Sequence, residues 1–145
     1  MHLVLAANAE VDQPWVADAT ATFAMQAGAT VAVVSVDEVE LERLAPVPRA
    51  VFAAQAQSAA AAAVERLAAA GVAATATVLA GSARDRILEF AEEQQADIIV
   101  VGASDRTAVA TRLLGSVPLA IVARSPRPVL IITRPVAVEG GPPSH

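Results

Sequence analysis

The sequence predicts an α/β protein, and two features of the residue pattern support that fold class. Short apolar runs alternate along the chain with longer segments of helical period, as right-handed β-α-β crossovers require. The runs are apolar at nearly every position, which is typical of parallel strands covered on both faces. We therefore expect a single Rossmann-like domain with a five-stranded parallel sheet in the order 3-2-1-4-5 and helices on both faces.

The strands are predicted from runs rich in Val, Ile, Leu and Thr. They lie at residues 3–7, 30–36, 72–79, 98–101 and 129–133. The domain is expected to span residues 1–134. The remaining residues, 135–145, are rich in Gly and Pro and are expected to form a disordered tail.

The first helix is predicted to begin at Pro14, a residue suited to the first helical position, with Asp12 or Gln13 as its cap. Gly28 is the expected C-cap. The apolar stripe of this helix is expected to be Val16, Ala19, Phe23 and Ala27.

A second, alanine-rich helix is predicted from about Arg49 to Ala70, where Gly71 ends it. Its expected stripe is Phe52, Ala56, Ala59, Ala63, Leu67 and Ala70. The third helix is predicted to begin at Ser82, with Asp85 completing a capping box. The residues expected to face the sheet are Ile87, Leu88 and Ala91.

Composition excludes several function classes. A formal net charge of −5 disfavours binding to nucleic acid or to an anionic membrane, which needs a basic surface. All ten basic residues are arginines, so a Walker-type P-loop lacks its lysine. The chain has no cysteine, which excludes disulfides and Cys-based zinc sites. Its two histidines, His2 and His145, stand at opposite ends, which disfavours a His-centred catalytic triad. With no apolar run near the ~18 residues of a membrane span, we expect a cytoplasmic protein that binds neither nucleic acid nor membrane.

The stretch from residue 98 to 117 carries the strongest indication of a site. A buried strand ends at Gly102, a polar loop follows, and Gly115-Ser116 begins a helix that runs to about Arg124. Free N–H groups at a helix start favour an anion. In the expected strand order, Asn8, Gly102 and Ser116 converge on the crevice between strands 1 and 4. Such turns also occur for purely structural reasons.

The same stretch resembles the motif of the universal stress protein family. That motif is a Gly, two residues, a Gly, nine residues, and then Gly-Ser or Gly-Thr. Here Gly102 is followed by two residues, Asp105, nine residues and Gly115-Ser116. Further agreement comes from residues 66–72, 81–91, 96–102, 113–117 and 124–132, so the resemblance covers nearly the whole chain.

The resemblance implies a domain that binds ATP or another adenine nucleotide, with or without Mg²⁺, and that forms a homodimer through its last strand. Carried over to this sequence, Gly102, Gly115 and Ser116 match the phosphate motif. Asn8 stands where the family has an acid after strand 1. Val34 and Val36 lie in the strand that would edge the base, and the sequence does not decide between them.

Two departures from the family pattern bear on that function. Asn8 keeps hydrogen-bonding capacity without the charge of the usual Asp. Asp105 replaces the second motif glycine, and its carboxylate would repel a phosphate by roughly 4 kcal/mol at ~4 Å and an effective dielectric near 20. Alternatively, Asp105 binds a metal ion that bridges to phosphate or accepts from ribose hydroxyls, or Arg106 or Arg112 neutralises it.

Three functions follow from the sequence. The first is a dimeric stress-response sensor or switch that binds ATP, AMP or cyclic AMP. The second is a family member with a degenerate pocket that acts through protein–protein interaction. The third, a nucleotide hydrolase, ranks lowest because no general base or nucleophile stands out, so we expect no enzyme beyond weak incidental ATP hydrolysis. The dimer would pair the apolar edge strand that begins at Val129 and ends at Thr133.

Overall fold

The computed structural model describes residues 1–38, 49–103 and 115–135 of the chain. Its strands are β1 (His2–Ala7), β2 (Thr30–Glu38), β3 (Ala74–Gly81), β4 (Ile98–Gly102) and β5 (Val129–Ile132). Its helices are α1 (Pro14–Ala27), α2 (Arg49–Ala69), α3 (Ala83–Glu93) and α4 (Ser116–Arg124). The strands form one parallel sheet in the order β3-β2-β1-β4-β5, which confirms the predicted fold class.

Strand β1 lies at the centre of the sheet, where the strand order reverses. Leu3 pairs with Val31 of β2 on one side and with Ile98 of β4 on the other. Because neighbouring crossovers leave β1 in opposite directions, a crevice opens beyond its carboxyl end. This is the place at which the sequence predicts a site.

The sheet separates two apolar cores, because successive side chains of a strand point to opposite faces. Leu3 and Leu5 of β1 face the side covered by α1 and α2, whereas Val4 faces the side covered by α3 and α4. All three side chains are at most 1% exposed. Few aromatics are available, so alanines of α1 and α2 complete the first core, and small side chains let these helices lie close to the sheet.

Helix α1 confirms its predicted ends but not its predicted stripe. Pro14 is its first residue, and Gly28 caps it in the left-handed conformation (φ 65°). The buried residues are Val16, Ala17, Thr20, Ala21 and Ala24, whereas Phe23 is half-buried and Ala27 exposed. The buried face is rotated because α1 packs against α2 as well as the sheet. The buried Thr20 hydroxyl donates to the Val16 carbonyl at 2.7 Å, so its burial leaves no unmet donor.

The capping box predicted for α3 is wrong. Ser82 is the N-cap residue, but its side chain makes no capping hydrogen bond. Asp85 instead accepts from the guanidinium of Arg84 at 2.9 Å, and this contact lowers the pKa of Asp85. The face turned to the sheet carries buried Ile87 and Ala91 and partly buried Leu88, as predicted, together with buried Phe90.

Helix α2 ends as predicted, with Gly71 in the left-handed region (φ 85°). Its buried positions are Ala56, Ala60, Ala63 and Leu67, close to the predicted stripe.

Across the described segments, no helix has both the length and the apolar character needed to cross a membrane.

Candidate functional site

A cleft occupies the crevice beyond the carboxyl end of β1 and encloses about 100 Å³. Its walls come from the ends of β1, β2 and β4 and from the first turns of α3 and α4. Asn8, Val36, Gly102 and Val117 all line it. The structure thus brings together the segments that the sequence analysis expected to converge.

Asn8 organises the loop between β1 and α1. Its Oδ1 accepts from the backbone N–H groups of Glu10 at 2.8 Å and Val11 at 3.1 Å. This Asx-type turn is the arrangement that lets a short polar side chain close a strand. The oxygen of Asn8 is therefore engaged within the loop, and its amide nitrogen supplies the donors that remain.

Gly102 is the last residue of β4, and the start of α1 lies in close contact with it. A Cβ at this position would lie 2.6 Å from Oε1 of Gln13 and 2.7 Å from Cγ2 of Val16, both too short for real contacts. Gln13 also donates from Nε2 to the carbonyl of Ala103 at 3.0 Å. The missing side chain at Gly102 therefore allows α1 to pack against the end of β4, whatever else it does for a ligand.

Gly115 sets the start of α4. As N-cap residue it has φ 83° and ψ 168°, a backbone region that is essentially restricted to glycine. Ser116 is the first helical residue and is exposed. No acidic residue occupies the first turn of α4, so its N–H groups and helix dipole lack a carboxylate from that turn.

Val34 and Val36 lie on the same face of β2, in the core on the α3 and α4 side. Val34 is fully buried, whereas Val36, nearer the end of the strand, is 6% exposed and also lines the cleft. Asp105, with Arg106 and Arg112, lies outside the described residues, so its role stays a prediction.

Two site residues escaped the sequence analysis. Glu38 ends β2, and its Oε1 accepts from the backbone N–H of Ala83, the first residue of α3, at 3.1 Å. A carboxylate thus does cap α3, but it comes from a distant strand. The acidic pair Asp37-Glu38, directly after an apolar run, was the available signal, whereas nothing local marked Gln13.

A larger groove of about 680 Å³ lies between α1 and α2 and shares the loop after β1 with the cleft. It is lined mainly by alanine and valine side chains. Arg66 crosses it in a two-point ion pair with Asp18, at 2.8 and 2.9 Å, which lowers the pKa of Asp18. The smaller cleft is the better candidate because two helix N-termini face it.

The described lining of the cleft combines polar and apolar groups. In residues 1–38, 49–103 and 115–135, no group of three or more His, Asp or Glu side chains is arranged to hold a metal ion. The cleft offers backbone N–H donors, an amide, apolar walls and carboxylates. Such a set suits a ligand with an apolar ring and polar substituents.

Comparison with known proteins agrees with this geometry. Residues 2–133 match the model of the universal stress protein family. A universal stress protein of Methanocaldococcus jannaschii is 38% identical over 58 residues, which are 40% of this chain and 34% of that relative. The match therefore spans about a third of that protein's length.

Solved structures share the fold. A universal stress protein of Archaeoglobus fulgidus superposes with a TM-score of 0.72 at 23% identity, covering 90% of this chain and 97% of that one. A universal stress protein in complex with cAMP gives 0.69 at 24% identity, covering 92% and 96%. An Archaeoglobus fulgidus protein in complex with dAMP gives 0.69 at 22%, covering 90% and 96%.

Proposed function

Because this chain belongs to the universal stress protein family, we propose that it binds an adenine nucleotide in the cleft beyond β1 and acts as a cytoplasmic, non-enzymatic sensor or switch. The observation that carries the proposal is the start of α4, where exposed Ser116 and a first turn without acids adjoin the cleft. ATP, AMP and cyclic AMP are the candidate ligands. Structures of relatives in complex with cAMP and dAMP support this ligand class. The unit proposed to carry the function is residues 1–134.

Each part of the nucleotide has a matching group in the cleft. The N–H groups of Ser116 and Val117, which precede the first intrahelical bond of α4, would hold a phosphate. Val36 would lie against the base. The amide nitrogen of Asn8 would donate to the ribose. Asp105 stands at a motif position that the family uses for the phosphates, so its carboxylate would lie near them, with or without a bridging Mg²⁺.

The direct test is mass spectrometry of what the purified protein releases on denaturation, combined with thermal-shift titrations of ATP, AMP and cyclic AMP. A ligand that binds only the folded state stabilises it by about 2.7 kcal/mol at a hundredfold excess over Kd. A released nucleotide or a dose-dependent shift supports the proposal. If no nucleotide is released and no shift is seen, with and without Mg²⁺, the second function is favoured, a protein–protein interaction module with a closed pocket.

We expect Gly115→Ala to weaken nucleotide binding at least tenfold, about 1.4 kcal/mol. Alanine strains a backbone at φ 83° and ψ 168°, and relief of that strain displaces the N–H groups of the first turn. Isothermal titration would measure the affinity. Gly28→Ala is the matched control, because Gly28 also has positive φ (65°) and open space around it, but lies at the far end of α1. Equal affinities of the two variants would contradict the proposed site.

We also propose that the protein is a homodimer through β5. The carbonyls of Pro128 and Ile132 accept from Ile99 and Ala103, so the even-numbered residues of this stretch turn their backbone groups toward β4. The N–H and C=O groups of Val129 and Ile131 therefore point away from the sheet. An apolar edge with unpaired backbone groups is covered when two copies pair. Leu119 and Val122 of α4, 52% and 44% exposed, add apolar surface on the helix that packs against β5.

Ile131→Pro is expected to convert the dimer to a monomer in sedimentation velocity at micromolar concentration. Proline removes the outward N–H of residue 131 and leaves the hydrogen bonds to β4 in place. A far-UV circular dichroism spectrum like that of the parent chain would show that the variant is folded. A parent chain that sediments as a monomer, or a folded variant that stays dimeric, would contradict this interface.

A further inference from the structure

We infer that the cleft selects an adenine nucleotide with a single phosphate over the triphosphate. This inference rests on the proposed function and names the ligand within its class. The reason is an asymmetry between the two helix N-termini that face the cleft. The start of α3 is already occupied by a carboxylate of the chain itself, whereas the start of α4 is not.

The α3 terminus is compensated from within the protein. Glu38 accepts from the N–H of Ala83, the position at which an external anion would bind. Asp85 adds a second carboxylate to the same first turn, where the guanidinium of Arg84 pairs with it at 2.9 Å. A phosphate placed here would have to displace Glu38 and would then face its carboxylate. The α3 terminus is therefore no binding site for a second or third phosphate.

The α4 terminus can hold one phosphate group. Its first turn is free of acids, but its third residue is Pro118, which carries no N–H. Leu119 already donates to the carbonyl of Gly115 at 3.2 Å. The donors at this terminus are thus the consecutive N–H groups of Ser116 and Val117, which can hold two oxygens of one phosphate and leave no N–H of this turn for a second.

The remaining charge of the cleft disfavours additional phosphates. Glu10 and Glu38 line it, and no arginine or histidine is found among its described lining residues. Each added phosphate brings more negative charge into a partly enclosed space, where repulsion from carboxylates is stronger than in bulk water.

The test is isothermal titration of AMP, cyclic AMP and ATP, each in EDTA and in Mg²⁺. We expect AMP and cyclic AMP to bind at least about tenfold more tightly than ATP. Glu38→Gln keeps an oxygen that can accept from Ala83 but removes the charge. It should raise the affinity for ATP by about fivefold and change that for AMP by less than about twofold.

The matched control is Glu93→Gln, which makes the same change in net charge at the opposite, exposed end of α3. It should leave both affinities unchanged. Glu10→Gln, on the exposed loop after β1, provides a second variant if Glu38→Gln does not fold, and its ATP affinity should rise in the same direction.

The outcomes separate the two proposals. Equal affinities of the parent chain for ATP and AMP overturn the inference while leaving nucleotide binding intact, as does an equal response of Glu38→Gln and Glu93→Gln. Absence of binding by all three compounds overturns the proposed function itself. The expected result is a preference for a single phosphate that Glu38→Gln weakens and Glu93→Gln leaves unchanged.

Discussion

Ile121→Ala should lower the free energy of unfolding by about 2–5 kcal/mol, the range for truncating a fully buried aliphatic side chain. Ile121 is 0% exposed and is the buried residue of α4, within the core that also holds Val4, Ile99 and Phe90. Its loss leaves a cavity under a helix of nine residues in which it is the one buried side chain. Chemical denaturation, followed by circular dichroism, would measure the change.

The same variant should also weaken nucleotide binding, because α4 carries Ser116 at its start. Met25→Ala is the control at an exposed apolar residue of α1, which is 62% exposed and should change stability by less than about 0.5 kcal/mol. If both variants were equally stable, the packing of α4 described here would be wrong. Unaltered nucleotide affinity in a destabilised Ile121→Ala would separate α4 from the site.

Gly102→Ala is expected to destabilise the fold by about 1–3 kcal/mol, as overpacking of a tight contact does. The new Cβ would lie 2.7 Å from Cγ2 of Val16, on a helix that cannot easily move. Gln13 can rotate away, but it then loses its hydrogen bond to Ala103. Equilibrium unfolding in urea would measure the loss.

A double-mutant cycle identifies the cause. Val16→Ala removes the atom that the new Cβ would meet, so Gly102→Ala should cost about 1 kcal/mol less in that background than in the parent chain. Additive effects of the two substitutions would mean that Gly102 is required for another reason, such as close approach of a ligand to the backbone.

The fold could be predicted because its determinants are local. Apolar runs of strand length separated by helical periods specify a parallel sheet, and the positive φ of Gly28 and Gly71 explains why both helices end where glycine occurs. The predicted stripe of α1 failed because periodicity alone does not tell which side of an alanine-rich helix contacts a second helix.

The placement of the candidate residues was predictable in outline and not in detail. Asn8, Val36 and Gly102 line one cleft, as the strand order and the motif together suggested. Val34 lies deeper in the core instead, on the same face of β2 as Val36 but two residues further from the end of the strand. The expected partner of Ser82 was Asp85, but Arg84 holds that carboxylate.

By itself, the sequence determined the order of strands and helices, the family, and the glycines at which the chain must bend. Only the tertiary structure decided which atoms meet at the cleft. Glu38 reaches the start of α3 across 45 positions, and Gln13 reaches Ala103 across 90. Contacts at such separations depend on how the sheet brings strand ends together, and no local pattern encodes them. The charge and the steric limits of the cleft therefore belong to the folded protein.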